Sequence, residues 1–381
     1  MGAPCRVGRV QPDRFGLSGK RALPGGATIA FLCILTVVLR VYVRLLPGIP
    51  HIPLLYPNLG RGPRGNLLCL EKAFEGLDEP FVALVDDLSQ ADYLLIPHNF
   101  PSVRDRTEYL HTYVDLSRHH RKPILVFAHG DSDAPIPLPN ARVFRTSQYG
   151  YKKCGNEVMM PAYTEDLLVG GEPKVRERGK IPVVGFCGWA DYKNLRNRIG
   201  TYVQNTVLDL QCIGAGSRSG AVRKKGLTLR RRAIRVLAQS PLIRTNFVIR
   251  SSHSAHAKTI AMDPVQARRE YIENLLQSDL VLTIKGDGNY SLRFYEALSL
   301  GRVPLFLDTD CVLPLASVIP YDDFIIRIPF DALDHIDRAT AERWQAIDGP
   351  TFLRMQHTAR EMFTKYLSVK SFLRYAVEHL L

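Results

Sequence analysis

The 381 residues predict an α/β protein of two halves, each a parallel sheet wrapped by helices, that face each other across a cleft. Three observations carry this. Short apolar runs alternate with amphipathic helical stretches along most of the chain. The runs end in polar residues. The series stops at a charged, glycine-containing stretch, 170–180, and then starts again. Strand, helix, strand with polar residues at each strand's C-terminal end is the pattern of a doubly wound sheet, and binding sites sit at those ends. The expected organisation is a tail and apolar segment at 1–40, Rossmann-like domains at 41–175 and 181–349, and C-terminal helices at 350–381 that pack back on the first domain.

The elements follow in order. Residues 1–26 hold Arg6, Arg9, Arg14, Lys20 and Arg21 against a lone Asp13, with glycines and prolines throughout, and read as a basic disordered tail. Ala27 to Leu39 is uncharged but short of the ~20 residues that span a bilayer. Two readings stand: a membrane anchor that tolerates Arg40 and Arg44 near its end, or an apolar extension before a first strand at Arg40–Arg44. No A-x-A-like cleavage site follows the run, which argues against a signal peptide.

In the first half, Phe81 to Leu84 leads to Asp86-Asp87, and Ala91 to Pro97 reads as a buried strand that ends at His98-Asn99. Arg104 to Arg121 is helical, with Tyr109, Leu110, Tyr113 and Leu116 in its apolar pattern. Pro123 to Ala128 is the next strand, ending at His129-Gly-Asp-Ser-Asp133. In the second half, Ile181 to Gly188 is a strand and Asn194 to Leu210 its helix. Asn246 to Arg250 and Asp279 to Ile284 are strands separated by a helix across Asp263 to Gln277, with Asp263-Pro264 as N-cap and first residue. Tyr290 to Leu300 is helical and Val303 to Asp308 a strand. Gly349 to Leu381 reads as helices with Phe352, Met355, Met362, Phe363, Tyr366, Phe372 and Tyr375 as core.

Composition narrows the function. Fifty Lys and Arg against 37 Asp and Glu give a net charge of +13, which calls for a negative partner: nucleic acid, an anionic membrane or phosphate. The seven cysteines form no C-x-x-C pair, so neither a zinc site nor a disulfide framework is indicated.

The most informative stretch is Lys285-Gly-Asp-Gly-Asn-Tyr-Ser-Leu-Arg-Phe-Tyr-Glu296. A strand enters a glycine-containing loop that opens a helix, so free backbone N–H groups and the positive helix end suit a phosphate. Gly286 and Gly288 allow close approach of the backbone, and Ser291 offers a hydroxyl. Arg293 can give a forked pair of donors to a diphosphate, and Glu296, three residues on, lies on the same helix face for a ribose diol.

The segment from Gly286 to Asp308 resembles the donor-site signature of exostosin-like glycosyltransferases (glycosyltransferase family 47). The likeness extends to Val184-Gly-Phe-Cys-Gly188 and Asp92-Tyr-Leu-Leu-Ile-Pro-His98, covering roughly residues 50–330. It implies a GT-B-like fold, an NDP-sugar donor held by the second half, a glycan or lipid-linked acceptor held by the first, and inverting transfer with no metal and no cofactor. It also implies that Arg293 and Glu296 contact diphosphate and ribose. The donor set is Gly188, Lys193, Gly286, Gly288, Asn289, Ser291, Arg293 and Glu296, with Arg196 and Arg198 as further helper cations. Inversion needs a base at a strand end on the acceptor side; His98, His129, Asp131 and Asp133 are the candidates. Asp308-Thr-Asp310 imitates a metal-binding D-x-D but is expected to be a strand end and turn.

Rival functions are a basic nucleic-acid-binding protein and a catalytically inactive carbohydrate-binding homologue. Arg223-Lys-Lys225 and Arg230-Arg-Arg232 favour the former, but Phe247 is the only aromatic between Leu210 and Met262, and a single-strand surface needs more. The N-x-S/T sequon Asn289-Tyr-Ser291 falls in the donor loop, where a glycan would obstruct it. That favours a cytoplasmic chain at a membrane face over a type II Golgi protein. From Leu210 to Met262 there are eleven bases and no acid, so the excess charge sits in the donor half, where an anionic membrane surface is a further partner.

Overall fold

The computed structural model describes residues 39–62, 70, 72–168, 171–192, 194–215, 219–252, 260 and 262–381. The basic tail, the apolar run up to residue 38 and Lys193 lie outside them.

The first sheet contains β1 (Arg40–Val43), β2 (Ala83–Leu84), β3 (Tyr93–Asn99), β4 (Ile124–Ala128), β5 (Ala141–Arg145) and β6 (Glu157–Met159), with α1 (Tyr56–Leu59) and α2 (Thr107–His120) between them. All pairings are parallel, in the order β2-β1-β3-β4-β5-β6. Arg40–Val43 is therefore a strand, and an interior one. The run Ile124-Leu-Val-Phe127 is apolar without interruption because both faces are covered. Ile124 and Val126 pack with Leu110 and Tyr113 of α2. Leu125 and Phe127 face the other way, onto Val369, Phe372 and Leu373 near the C-terminus.

The second half begins with β7 (Val183–Trp189), α3 (Leu195–Ala215), α4 (Ser219–Val222), α5 (Gly226–Gln239) and β8 (Arg244–Arg250). It continues with α6 (Pro264–Leu276), β9 (Leu280–Thr283), α7 (Leu292–Ser299), β10 (Val303–Asp308) and β11 (Ile326–Pro329). This sheet is also parallel throughout, in the order β11-β10-β9-β7-β8. The Asp263 carboxylate accepts the Gln266 N–H at 2.8 Å and caps α6, as its position before Pro264 predicts. Helices α8 (Ile336–Gln345), α9 (Gly349–Met362) and α10 (Val369–Tyr375) close the chain. Phe352, Met355 and Met362 of α9 enter the second core, whereas Phe372 of α10 enters the first. The two parallel α/β sheets make this a GT-B-like architecture.

Several elements differ from expectation. The sequence reading missed β5, β6 and β11. Within the basic segment that holds Arg230-Arg-Arg232, helix α5 places Leu229, Ala233 and Leu237 on one face that enters the core. The charged stretch expected to be a linker is fastened: Arg176 N–H donates to Gln356 Oε1 at 2.8 Å, and its Nε donates to Asp279 Oδ1 at 2.6 Å. Among the described residues no helix is long and apolar enough to cross a membrane.

Candidate functional site

After β7 the chain moves outward to β8, then returns to the other side of β7 as β9 before continuing to β10 and β11. The reversal makes the β7/β9 boundary a topological switch point, where open α/β sheets form a crevice at the strands' C-terminal ends. Gly188, near the end of β7, has φ +149°, a conformation L side chains rarely adopt, and a Cβ there would lie 2.7 Å from Arg293 Nη2. Arg293, the second residue of α7, uses this space. Its Nη2 donates to Cys187 O at 3.0 Å, and its guanidinium lies 4.2 Å from the Phe186 ring centroid.

A second arginine completes the crevice. Arg230 of α5 donates to Trp189 O at 3.4 Å and to Ile284 O at 3.3 Å, spanning the ends of both strands. Helix α5 is seated directly against the glycine loop, with Gly226 N–H donating to Gly286 O at 3.2 Å. Arg230 and Arg293 each carry a buried Nε–H with no hydrogen-bond partner. Arg142, Arg178 and Arg302 do too, so an orphan Nε–H alone does not mark a site. What sets this pair apart is its place at the switch point, where burial first, and then the charge of Arg293, push the Arg230 pKa down to about 9 against the opposing charge of Asp287. No ion pair to either arginine occurs among the described residues. Both side chains are half-buried, and an anion bound between them would relieve their repulsion. The N-terminus of α7 points N–H groups into the same region, and its N-cap Ser291 makes no side-chain capping bond.

Glu296 is almost fully buried. Its Oε1 accepts from Arg268 Nη1 at 3.0 Å and its Oε2 from the Tyr271 hydroxyl at 2.5 Å. Arg268 also donates to Glu165 Oε2 at 2.5 Å. Burial opposes the Arg268 charge, but the two carboxylates outweigh it and raise its pKa. The ring of Tyr271 lies 6.0 Å from the Arg293 guanidinium. Arg293 and Glu296 thus share a helix face, but through this network and not as a direct surface pair.

Asn289, expected in the donor set, is placed between the two halves. Its side chain joins the two halves: Nδ2 donates to Gln148 O at 3.1 Å and to Thr309 O and Asp310 O at 3.2 Å, while Oδ1 accepts from Thr309 Oγ1 at 2.6 Å. Its backbone N–H donates to Ser147 Oγ at 2.9 Å. Both amide protons are committed at a buried site, and the folded chain has no room for a glycan on this nitrogen. Beside it, Lys285 Nζ donates to the Tyr149 hydroxyl at 2.7 Å, and burial lowers its pKa to about 8. Asp310 accepts the Tyr151 N–H at 3.0 Å, and Asp308 accepts from Arg327 at 2.9 Å. The D-x-D-like segment is thus a strand end and a stitch between halves.

The base candidates separate. His98 is fully buried at the end of β3, with Nε2 accepting the Leu46 N–H at 2.9 Å and Nδ1 facing Pro50 O at 3.1 Å. Both ring nitrogens are committed, so it fits a structural role. His129 stacks on Tyr163 with centroids 4.2 Å apart, and its Nε2 accepts the Tyr163 N–H at 3.3 Å. Burial lowers its pKa to about 4, leaving a neutral ring whose lone pair is already used. Asp133 pairs with Lys152 Nζ at 2.5 Å; burial works against its charge, but Lys152 prevails and its pKa is lowered. Asp131 differs. It is exposed just beyond β4, and a Cβ on Gly288 would lie 2.8 Å from its Oδ1. Its carboxylate therefore stands against the glycine loop of the opposite half. Arg196 and Arg198 are exposed on the first turn of α3.

No family model and no curated protein matches the chain. Among solved structures it is similar to TarM, with a TM-score of 0.35 and 11% identity over 75% of this chain and 54% of that one, so it spans about half of TarM's length. The fold and the site together define a two-sheet α/β protein with a glycine-lined, doubly cationic crevice at a switch point.

Proposed function

We propose that the chain is a glycosyltransferase of exostosin-like type, moving a sugar from a nucleoside-diphosphate donor to a glycan or lipid-linked acceptor with inversion and without a metal. The observation that carries this reading is the Arg230–Arg293 pair at the β7/β9 switch point, two half-buried cations beside the N-terminus of α7. The likeness of residues 286–308 to the exostosin-like donor signature supports the sugar nucleotide over other phosphate ligands. Arg230 and Arg293 hold the diphosphate and stabilise the charge that develops on it as the glycosidic bond breaks. Glu296 keeps about two of its roughly four lone-pair sites for a ribose diol, with Arg268 and Tyr271 fixing its position. Asp131 removes the proton from the acceptor hydroxyl, whose oxygen attacks the anomeric carbon from the face opposite the leaving group. An acid at this edge of the first sheet and the cations at the facing edge of the second divide the chemistry between the halves.

Calorimetric titration with nucleoside diphosphates, followed by an NDP-release assay with sugar nucleotides and candidate acceptors, tests the proposal. Arg230→Ala and Arg293→Ala should each weaken diphosphate binding by about ten- to a hundredfold, the worth of one or two charge-assisted hydrogen bonds. Asp131→Asn should leave binding unchanged and slow transfer by about 10²- to 10⁴-fold. Unaltered diphosphate affinity in both arginine variants would refute the site. Tight sugar-nucleotide binding without turnover would favour the inactive, carbohydrate-binding reading.

A further inference from the structure

Helix α3 is turned inside out. Leu195, Ile199, Tyr202, Val203, Val207 and Leu210 are each between 48% and 74% exposed. At 100° per residue they fall in a single stripe along one face. The opposite face, toward the protein, carries Thr201, which is buried, and Asn205, whose Nδ2 donates to Thr228 Oγ1 at 2.9 Å. A soluble helix places these two sets the other way round. Isolated exposed apolar residues are ordinary, but a continuous stripe marks an interaction surface.

The surroundings select the partner. The stretch from Leu210, within α3, to Met262 holds eleven bases and no acid. Of these, Arg231, Arg232 and Arg250 pair with Asp191, Asp334 and Glu270, while Arg235 is exposed on α5. At the other end of the helix, Arg196 and Arg198 are exposed beside the apolar stripe. A second copy docked through the same face by twofold symmetry would bring like charge against like. A bilayer with acidic headgroups meets both features, taking the apolar stripe into its interface and the bases against its surface.

We infer that α3 is an amphipathic membrane-binding helix that seats this protein on anionic lipid. Because α3 starts six residues after β7 ends, the rim that carries Gly188 then lies close to the headgroups, where a lipid-linked molecule would be presented. The inference stands apart from the catalytic reading, since its test measures binding and not turnover.

The test is flotation of the full chain with vesicles of phosphatidylcholine alone and with phosphatidylglycerol replacing part of it, at low and high salt. The expected result is binding to the anionic vesicles only, weakened by salt. The variant Tyr202→Ser/Val203→Ser/Leu210→Ser should bind at least tenfold more weakly. As an independent reporter, Tyr202→Trp should show a blue shift in emission on anionic vesicles. Absence of flotation by the native chain would overturn the inference, as would equal binding by the triple variant, which would assign it to residues 27–39 or to charge alone. An unmoved emission spectrum, or a triple variant that alters only the oligomeric state, would also overturn it, the latter pointing to a second copy.

Discussion

Replacing Asn289 by alanine separates a staple from a ligand contact. The Asn289 amide has two protons shared among three carbonyls and one oxygen that accepts from Thr309, which amounts to about three effective hydrogen bonds at a buried site. At about 1 kcal/mol each, plus about 1 kcal/mol for leaving the Thr309 hydroxyl unsatisfied, the loss is about 4 kcal/mol. With an unfolding entropy near 2.1 cal/mol/K per residue, a cooperative unit of about 340 residues should melt about 6 °C lower. Differential scanning calorimetry measures this directly, and proteolysis at the loops joining the halves should quicken in parallel. Adding Thr309→Ala should cost less than its own single-variant loss, because the orphaned hydroxyl is removed. A melting temperature within 1 °C of the native value, together with a tenfold loss of nucleotide affinity, would show that Asn289 is a ligand contact after all.

Three further outcomes follow from the same geometry. A Cβ on Gly226 would meet Lys285 O at 2.0 Å and Gly286 O at 2.5 Å, so Gly226→Ala should displace the glycine loop, weaken diphosphate binding at least tenfold and cost about 1–3 kcal/mol in chemical denaturation. Arg293→Lys should restore little of the affinity that Arg293→Ala loses in titration, because an ammonium cannot keep both the Cys187 carbonyl and a forked diphosphate contact. Burial lowers the His129 pKa from 6.5 to about 4. Below pH 6.5 the unfolded chain takes up a proton that the folded chain refuses, so stability falls until about pH 4 and then levels. The fall is worth about 3 kcal/mol. Urea midpoints across this range should show a shallower acid limb in His129→Gln; an identical limb would exonerate His129.

What the sequence makes legible here is whatever depends on one segment at a time. Runs such as Ile124–Phe127 and Leu280–Thr283 read as strands because parallel sheets bury both faces. Strand β5 does not, because Arg142 and Arg145 interrupt it. Only the fold shows that Arg145 is buried against Glu157 at 2.5 Å and against the Ser132 and Ser147 carbonyls. The Gly286–Glu296 stretch could be found because its loop, helix start and basic residue are contiguous. Arg230 could not. In Arg230-Arg-Arg232 the three residues look alike, yet the first reaches two strand ends, the second Asp191 and the third Asp334. The helical recurrence of Leu229, Ala233 and Leu237 was the available clue that one arginine must flank a buried face. Likewise, nothing local to His98 announces that Leu46 and Pro50 will occupy its nitrogens.

The two ends of the described chain meet in one place. Strand β1 lies inside the first sheet, Val369, Phe372, Leu373 and Ala376 fill the core beneath it, and the Tyr93 hydroxyl donates to the carbonyl of Leu381 at 2.7 Å. Domains generally fold in the order in which they are made. Here the half synthesised first lacks part of its interior until residues 369–381 are made, so the later half can finish first. A nascent chain would carry a partly open first sheet until those residues emerge, and removing residues 372–381 would harm residues 40–160 more than the segment it shortens.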